Sequence, residues 1–226
     1  MSFRDDGGAV LTDLAARFVA DVRFVLEGAA ENPAGRAEVV LGDARDLAAS
    51  VRGRFDLVIT SPPYANRMSY VRELRPYMYW LGFLASGRDA GELDWTAIGG
   101  TWGIATSRLA DWTRAARRFD DAALDAAVAR IAAHDARSGP ILAAYVTKYA
   151  DDVWRHLQSL RAVLSPGAAV HYVVGNSAFY GVLLPVERLY ATMLERLGFT
   201  DVACRPLRKR NSKKALVEFD VTARWP

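Results

Sequence analysis

The sequence predicts an α/β fold, a partly parallel sheet closed by an antiparallel hairpin, and three observations carry that prediction. First, Asp56-Leu-Val-Ile-Thr60 is an apolar, β-branched run that passes directly into Ser61-Pro62-Pro63-Tyr64. Such a run suits a buried parallel strand, and two prolines then forbid helix and strand alike, so the chain must turn. Second, Ala168 to Val174 is another apolar run, closed by Gly175-Asn176-Ser177. Third, segments of helical periodicity alternate with these strands, and two alternating runs follow at the end.

The elements follow in order. Leu11 to Glu27 places Leu11, Leu14, Phe18, Val22 and Val25 on one helical face. Asn32-Pro-Ala-Gly35 breaks that helix. Glu38 to Asp43 is expected as a short strand ending in Gly-Asp, and Ala44 to Val51 as a turn of helix. After the Asp56–Thr60 strand and the Pro-Pro turn, a helix is expected from about Val71 to Leu84. Ser86 to Asp94 is read as a polar loop, Trp95 to Ser107 as irregular, and Leu109 to His134 as helix. Ser138-Gly-Pro140 opens a helix over Ile141 to Leu164, which Ser165-Pro-Gly167 ends. Pro185 starts a helix through Leu197, capped by Gly198. Phe199 to Pro206 and Ala215 to Ala223 alternate as two strands of a hairpin. The whole chain is expected to form one domain, with residues 86–139 as a helical insert.

Composition narrows the function classes. Apolar residues make up 51% of the chain and charged residues 24%, which is ordinary for a globular protein. No run of about 18 apolar residues exists, so no membrane span is expected. Met1 to Gly8 lacks the layout of a signal peptide, and the expected compartment is the cytosol. Cys204 is the sole cysteine and His134, His156 and His171 are scattered, so neither a disulfide nor a metal cluster is expected. The net charge of +3 says little, but Arg205 to Lys214 carries six positive charges and no negative one. That segment suits phosphate contacts, or equally a solvated hairpin tip.

A turn at the carboxyl end of a parallel strand is where open α/β sheets place ligands. Ser61-Pro62-Pro63-Tyr64 resembles the catalytic motif of the class I S-adenosylmethionine-dependent amino-methyltransferases, which methylate exocyclic amino groups of nucleobases. Gly42-Asp43-Ala44-Arg45-Asp46 resembles the preceding acidic motif of that family. The helix, strand and terminal hairpin after Ser138 resemble the second half of its Rossmann-like fold. A serine in the first motif position implies cytosine N4 most often, with adenine N6 as the neighbouring activity. The resemblance thus implies a DNA-binding enzyme of the restriction–modification kind. Asp43, Ala44 and Ser61 would face the S-adenosylmethionine cofactor.

The residue types suit that chemistry. An exocyclic amino nitrogen is a poor nucleophile because its lone pair is delocalised into the ring. Hydrogen bonds from its two N–H groups, to the Ser61 hydroxyl and a Pro62 carbonyl, would draw it toward tetrahedral geometry. Proline's fixed φ, in Pro62 and Pro63, holds such a carbonyl in place. Tyr64 can stack on an extruded base. Beyond the turn, Asn66, Arg67, Tyr70 and Arg75 are candidate substrate contacts, as are Asn176, Arg208 and Arg210. Tyr77, Tyr79 and Trp80 lie behind them, as aromatics suited to a flipped base or else as core, with core the preferred reading for Trp80. The tryptophans and arginines of the insert, Trp95, Trp102, Trp112, Arg108, Arg114, Arg117 and Arg118, are possible target contacts.

One expected part is missing. Class I methyltransferases carry a glycine-rich loop after their first strand, and no segment here matches it in place. Gly7-Gly8 has no strand before it, Val25 to Ala30 lacks the second glycine, and Gly99-Gly-Thr-Trp-Gly103 follows the catalytic strand. In the family order 3-2-1-4-5-7-6, Glu38 to Asp43 would be strand 3 and the first two strands would have no counterpart. The expectation is one half of a split enzyme, with a second polypeptide supplying the glycine-rich loop and the missing strands. The alternatives are a base methyltransferase acting on RNA, and a non-catalytic methyltransferase-like subunit that binds nucleic acid or a partner.

Overall fold

The computed structural model describes residues 13–31, 34–66, 69–100, 104–113, 119–210 and 215–226. The chain divides into two compact units, residues 1–39 and 40–226. The first contains α1 (Leu14–Ala30), capped by the Asp13 carboxylate, which accepts the Ala16 amide at 2.8 Å. The predicted stripe lies on this helix from Leu14 onward, but no residue of α1 is buried. Leu11 lies outside the described residues.

The second unit begins with α2 (Leu47–Ser50), β1 (Phe55–Thr60) and α3 (Tyr70–Trp80). Three helices follow, α4 (Gly87–Thr96), α5 (Ile104–Asp111) and α6 (Ala122–His134), and then the long α7 (Gly139–Leu160). The remainder is β2 (Leu164–Gly175), a small hairpin of β3 (Ser177–Phe179) and β4 (Val182–Leu184), α8 (Val186–Arg196), β5 (Thr200–Lys209) and β6 (Val217–Arg224). Four strands form one mixed sheet in the order β1-β2-β6-β5. β1 runs parallel to β2 with Thr60 opposite Tyr172, and β6 inserts antiparallel between β2 and β5. A parallel pair followed by a hairpin whose last strand inserts is the 4-5-7-6 portion of the class I methyltransferase sheet.

The core lies on one face of that sheet. Val170, Tyr172 and Val174 of β2, with Val221 and Ala223 of β6, pack in one cluster with Tyr149, Val153 and Leu157 of α7 and Tyr190, Met193 and Leu194 of α8. The alternation of β2 explains this, because every second side chain points to the same face. Leu109, Phe119, Leu124 and Ile131, from the predicted insert, belong to the same cluster.

Several expectations need correction. The stretch Glu38–Asp43 is not a strand: no ladder forms there and Leu41 is 100% exposed. A strand needs a neighbour for its backbone groups, and none of the described residues supplies one. β1 is parallel as expected but not buried, with Leu57 at 54% and Ile59 at 71% exposure. Those two side chains share a face with Ala169 and His171, opposite the helix-covered face of Val170 and Tyr172. Trp80 is not core but 84% exposed, at the end of α3.

The helical insert also differs. The polar stretch Ser86 to Asp94 is mostly α4, started by a reciprocal capping box between Ser86 and Asp89. The single helix expected over Leu109 to His134 is instead α5 and α6, with a break between them. Asp121 starts α6 by accepting the Leu124 amide. The β3–β4 hairpin is an element that the sequence reading does not contain. Its two-residue turn places Tyr180 and Gly181 both at positive φ, the conformation a tight hairpin demands.

Candidate active site at the carboxyl end of β1

The Ser61–Tyr64 turn leaves β1 at its carboxyl end, beside the last residues of β2. Ser61 is exposed, and its hydroxyl donates to the Val173 carbonyl at 3.2 Å. A hydroxyl has one proton and two lone pairs, so this bond spends the proton and leaves the oxygen as an acceptor. Pro63 offers its carbonyl to the Tyr149 hydroxyl at 3.0 Å. The Pro62 carbonyl has no hydrogen-bond partner among the described residues. The turn thus presents two neighbouring acceptors, Ser61 Oγ and Pro62 O, at a strand end.

Behind the turn the packing is tight. Tyr149 is fully buried on α7 and also meets the Tyr190 hydroxyl at 3.3 Å. Burial pushes both phenols up, so they stay protonated and able to donate. Gly99 and Gly100 are buried, Gly99 beside the turn and Gly100 against Asp94. Gly99 has φ +78°, a conformation that side chains rarely adopt, and its Cβ position lies in ordinary contact with Pro63, the Tyr145 hydroxyl and the Tyr64 carbonyl. Gly100 leaves no room at all, because a Cβ would collide with the Asp94 carbonyl. Gly99 lets the chain pass close to the turn, and Gly100 lets it pass close to α4.

Tyr64 is half-buried, and the Ser61 hydroxyl, Glu218 and Arg210 all bear on it. Its hydroxyl donates to Glu218 Oε1 at 3.0 Å, and the Arg210 guanidinium lies 4.7 Å from the ring centre. Such a cation–ring contact contributes about 1 kcal/mol. Burial pushes the Tyr64 phenol up. Glu218 also accepts a bond from Arg208 Nε, which holds its carboxyl below the usual range. Arg210 Nη1 donates in turn to the Asn176 carbonyl at 2.9 Å.

The other candidate residues divide clearly. Asn66 closes the turn through its amide to the Tyr64 carbonyl at 2.8 Å and, with Asn176, Phe179, Tyr180 and Arg210, lines a cavity of about 270 Å³. The Asn176 carboxamide is engaged on both sides, donating to Ala215 O at 3.0 Å and accepting from Val217 N at 2.9 Å. It therefore fastens the hairpin. Tyr70 is part-exposed at the start of α3, and Arg75 is exposed further along that helix. Arg67 and the hairpin tip at 211–214 lie outside the described residues.

The acidic segment forms a second cluster, on α7. Arg45 grips the Asp43 carboxylate through Nε and Nη2, the latter at 2.8 Å, and reaches Asp152 at 2.9 Å. This grip draws the Asp43 carboxyl down to about 2. Lys148 Nζ completes the network to Asp152 at 2.6 Å. The Ala44 carbonyl accepts a bond from His156 Nδ1 at 2.7 Å, so His156 Nε2 must accept from the Tyr172 hydroxyl at 2.7 Å. Burial lowers the His156 pKa, keeping it in that neutral tautomer.

Sequence reasoning missed Glu218, Tyr149, Arg45 and His156. Arg45 was legible as a neighbour of Asp43. The others act from far along the chain and carry no local signal.

No family model matches the chain, and no curated protein matches it. Among solved structures, three similar chains are crystal forms of one protein of Thermus thermophilus, provisionally assigned as a DNA modification methylase. One form is 18% identical over 82% of this chain and 52% of the other, with a TM-score of 0.38. The selenomethionine derivative is 20% identical over 35% and 38%, with a TM-score of 0.32. The complex with S-adenosyl-L-methionine is 22% identical over 36% and 39%, with a TM-score of 0.31. The chain spans about half the length, or less, of the structures it matches.

Proposed function

We propose that this chain carries the acceptor half of a DNA amino-methyltransferase, acting on an exocyclic base amino group, with cytosine N4 as the preferred target. The observation that carries this reading is the pair of acceptors on the turn. Ser61 Oγ has its proton committed to Val173, and Tyr149 takes the Pro63 carbonyl while Pro62 O has no partner among the described residues. An amino group has two N–H donors, and this pair offers one acceptor to each. Accepting both bonds concentrates electron density on the nitrogen and directs its lone pair away from the turn. Holding the base in that orientation supplies most of the rate, because the methyl group to be taken is already activated. Tyr64 stacks on the extruded base, and Arg208 near the end of β5 and Arg210 just beyond it lead to the basic tip, where phosphate contacts suit them.

S-adenosylmethionine, the methyl donor this reading requires, has only a partial seat here. Asp43 is occupied by Arg45, and the described residues offer no glycine-rich loop beside β1. A second polypeptide, carrying that loop and the missing strands, completes the site in our reading. Its support is the open side of β1, whose Leu57 and Ile59 stay exposed beside a strand edge with no partner among the described residues.

The experiment is methyl transfer from radiolabelled S-adenosylmethionine to genomic DNA and to total RNA, with the modified nucleoside identified by mass spectrometry. N4-methylcytosine in DNA is the expected product. Label found only in RNA would favour the RNA alternative. No transfer in any assembly, with nucleic-acid binding intact, would leave the non-catalytic reading. Calorimetry with the purified chain tests the split: tight cofactor binding and turnover without a partner would sink it.

A further inference from the structure

The geometry points to Glu218 as a positioning residue that anchors the far end of the Tyr64 ring, under the Arg210 guanidinium, as a platform for a base. This rests on the stacking role proposed above for Tyr64. A tyrosine at the end of a turn is loose when unaided. Its ring can rotate about two side-chain bonds, and a swinging ring is a poor stacking surface. Two contacts remove that freedom here. The Tyr64 hydroxyl donates to Glu218 Oε1 at 3.0 Å, pinning the far end of the ring. The Arg210 guanidinium covers one face at 4.7 Å from the ring centre.

Glu218 is itself held. It is 8% exposed on β6, opposite Arg208 of β5 in the ladder, and Arg208 Nε donates to its second oxygen. Arg210 is held as well, through Nη1 to the Asn176 carbonyl, and it lies over Gly175. A Cβ at Gly175 would collide with that guanidinium, so glycine there leaves Arg210 its place over the ring. A buried carboxylate of this kind is expensive unless it is paired. One oxygen goes to an arginine and the other to the phenol, so both acceptor sites serve the same geometry.

The test uses the full chain and a single-stranded oligodeoxynucleotide of cytosines with one 2-aminopurine, whose fluorescence falls on stacking. Wild type is expected to quench the probe and Tyr64→Ala to lose that quenching. Glu218→Ala should lose at least half of it, with less than a two-fold change in affinity by fluorescence anisotropy. Glu218→Gln keeps an oxygen for the Tyr64 hydroxyl and should retain the quenching, a rescue that a role through charge would not predict. Should Glu218→Ala fail to fold, Glu218→Asp withdraws the acceptor by one methylene and is expected to lose quenching in its place. Wild-type quenching in every folded Glu218 variant, with Tyr64→Ala still defective, overturns the positioning role and leaves base stacking standing. No quenching by wild type, or equal quenching by Tyr64→Ala, removes the platform itself and the positioning role with it.

Discussion

β1 and β2 are neighbours in one sheet, and their apolar residues lie on faces that differ in cover, Leu57 and Ile59 sharing the face of Ala169 and His171 and not that of Val170 and Tyr172. Val170, Tyr172 and Val174 of β2 are completely buried, whereas Leu57 and Ile59 of β1 lie largely in solvent. β2 has a strand on each side, β1 and β6, and its buried face meets α7 and α8. β1 pairs on one edge alone, and its Leu57–Ile59 face carries no such cover among the described residues. Strand composition therefore sets which residues prefer burial, and neighbours decide whether burial happens. Apolar residues left bare on a strand with a free edge are the signature of a surface meant to be covered.

The largest expected effect separates the two strands by stability. Tyr172→Ala should cost about 3–5 kcal/mol in urea unfolding, because it empties a packed position. Ile59→Ala in the isolated chain should cost less than about 0.5 kcal/mol, as exposed substitutions usually do. Equal costs would break the comparison outright.

A second expectation concerns activity. Ser61→Ala removes one of the two acceptors and should lower methyl transfer by about 100-fold, the usual scale for one lost polar contact to a developing charge. The unfolding midpoint should hardly move, since Ser61 is exposed. A matching loss of stability would mean that the serine holds the turn instead of serving the chemistry.

The open side of β1 offers the third way to sharpen the contrast. Leu57→Lys with Ile59→Lys should leave the isolated chain folded by circular dichroism but abolish co-purification with the completing polypeptide. Undiminished association would move the docking surface elsewhere.

The smallest effect involves the bridge between the acidic segment and β2. His156 is part-buried and its pKa is lowered by desolvation, so the unfolded chain takes up a proton that the folded chain resists. A lowered folded-state pKa means that stability is fully present above the unfolded value of about 6.5 and is lost as pH falls below it. The slope is at most about 1.4 kcal/mol per pH unit. Thermal midpoints measured from pH 7 to pH 5 should fall, and His156→Gln should flatten that fall. Asp43 acts in a separate window: its contribution is lost only as pH drops from about 4 toward 2.

By itself the sequence determined the features that depend on near neighbours. Two prolines after Thr60 end a strand whatever surrounds them, so the turn was legible. The alternation of β2, the Gly198 stop and the terminal hairpin were legible for the same reason, since period and turn residues are local properties. The capping box at Ser86 was legible too, and overlooking it turned a helix into a loop. Tertiary structure alone decided what lies across the molecule. Glu218 reaches Tyr64 from 154 residues away, and Tyr149 reaches Pro63 from 86. Such pairings follow from strand register and helix packing, which no local pattern encodes. The same holds for β1 and the stretch before Asp43: their residues ask for burial, but only the arrangement of neighbours determines whether this chain can provide it.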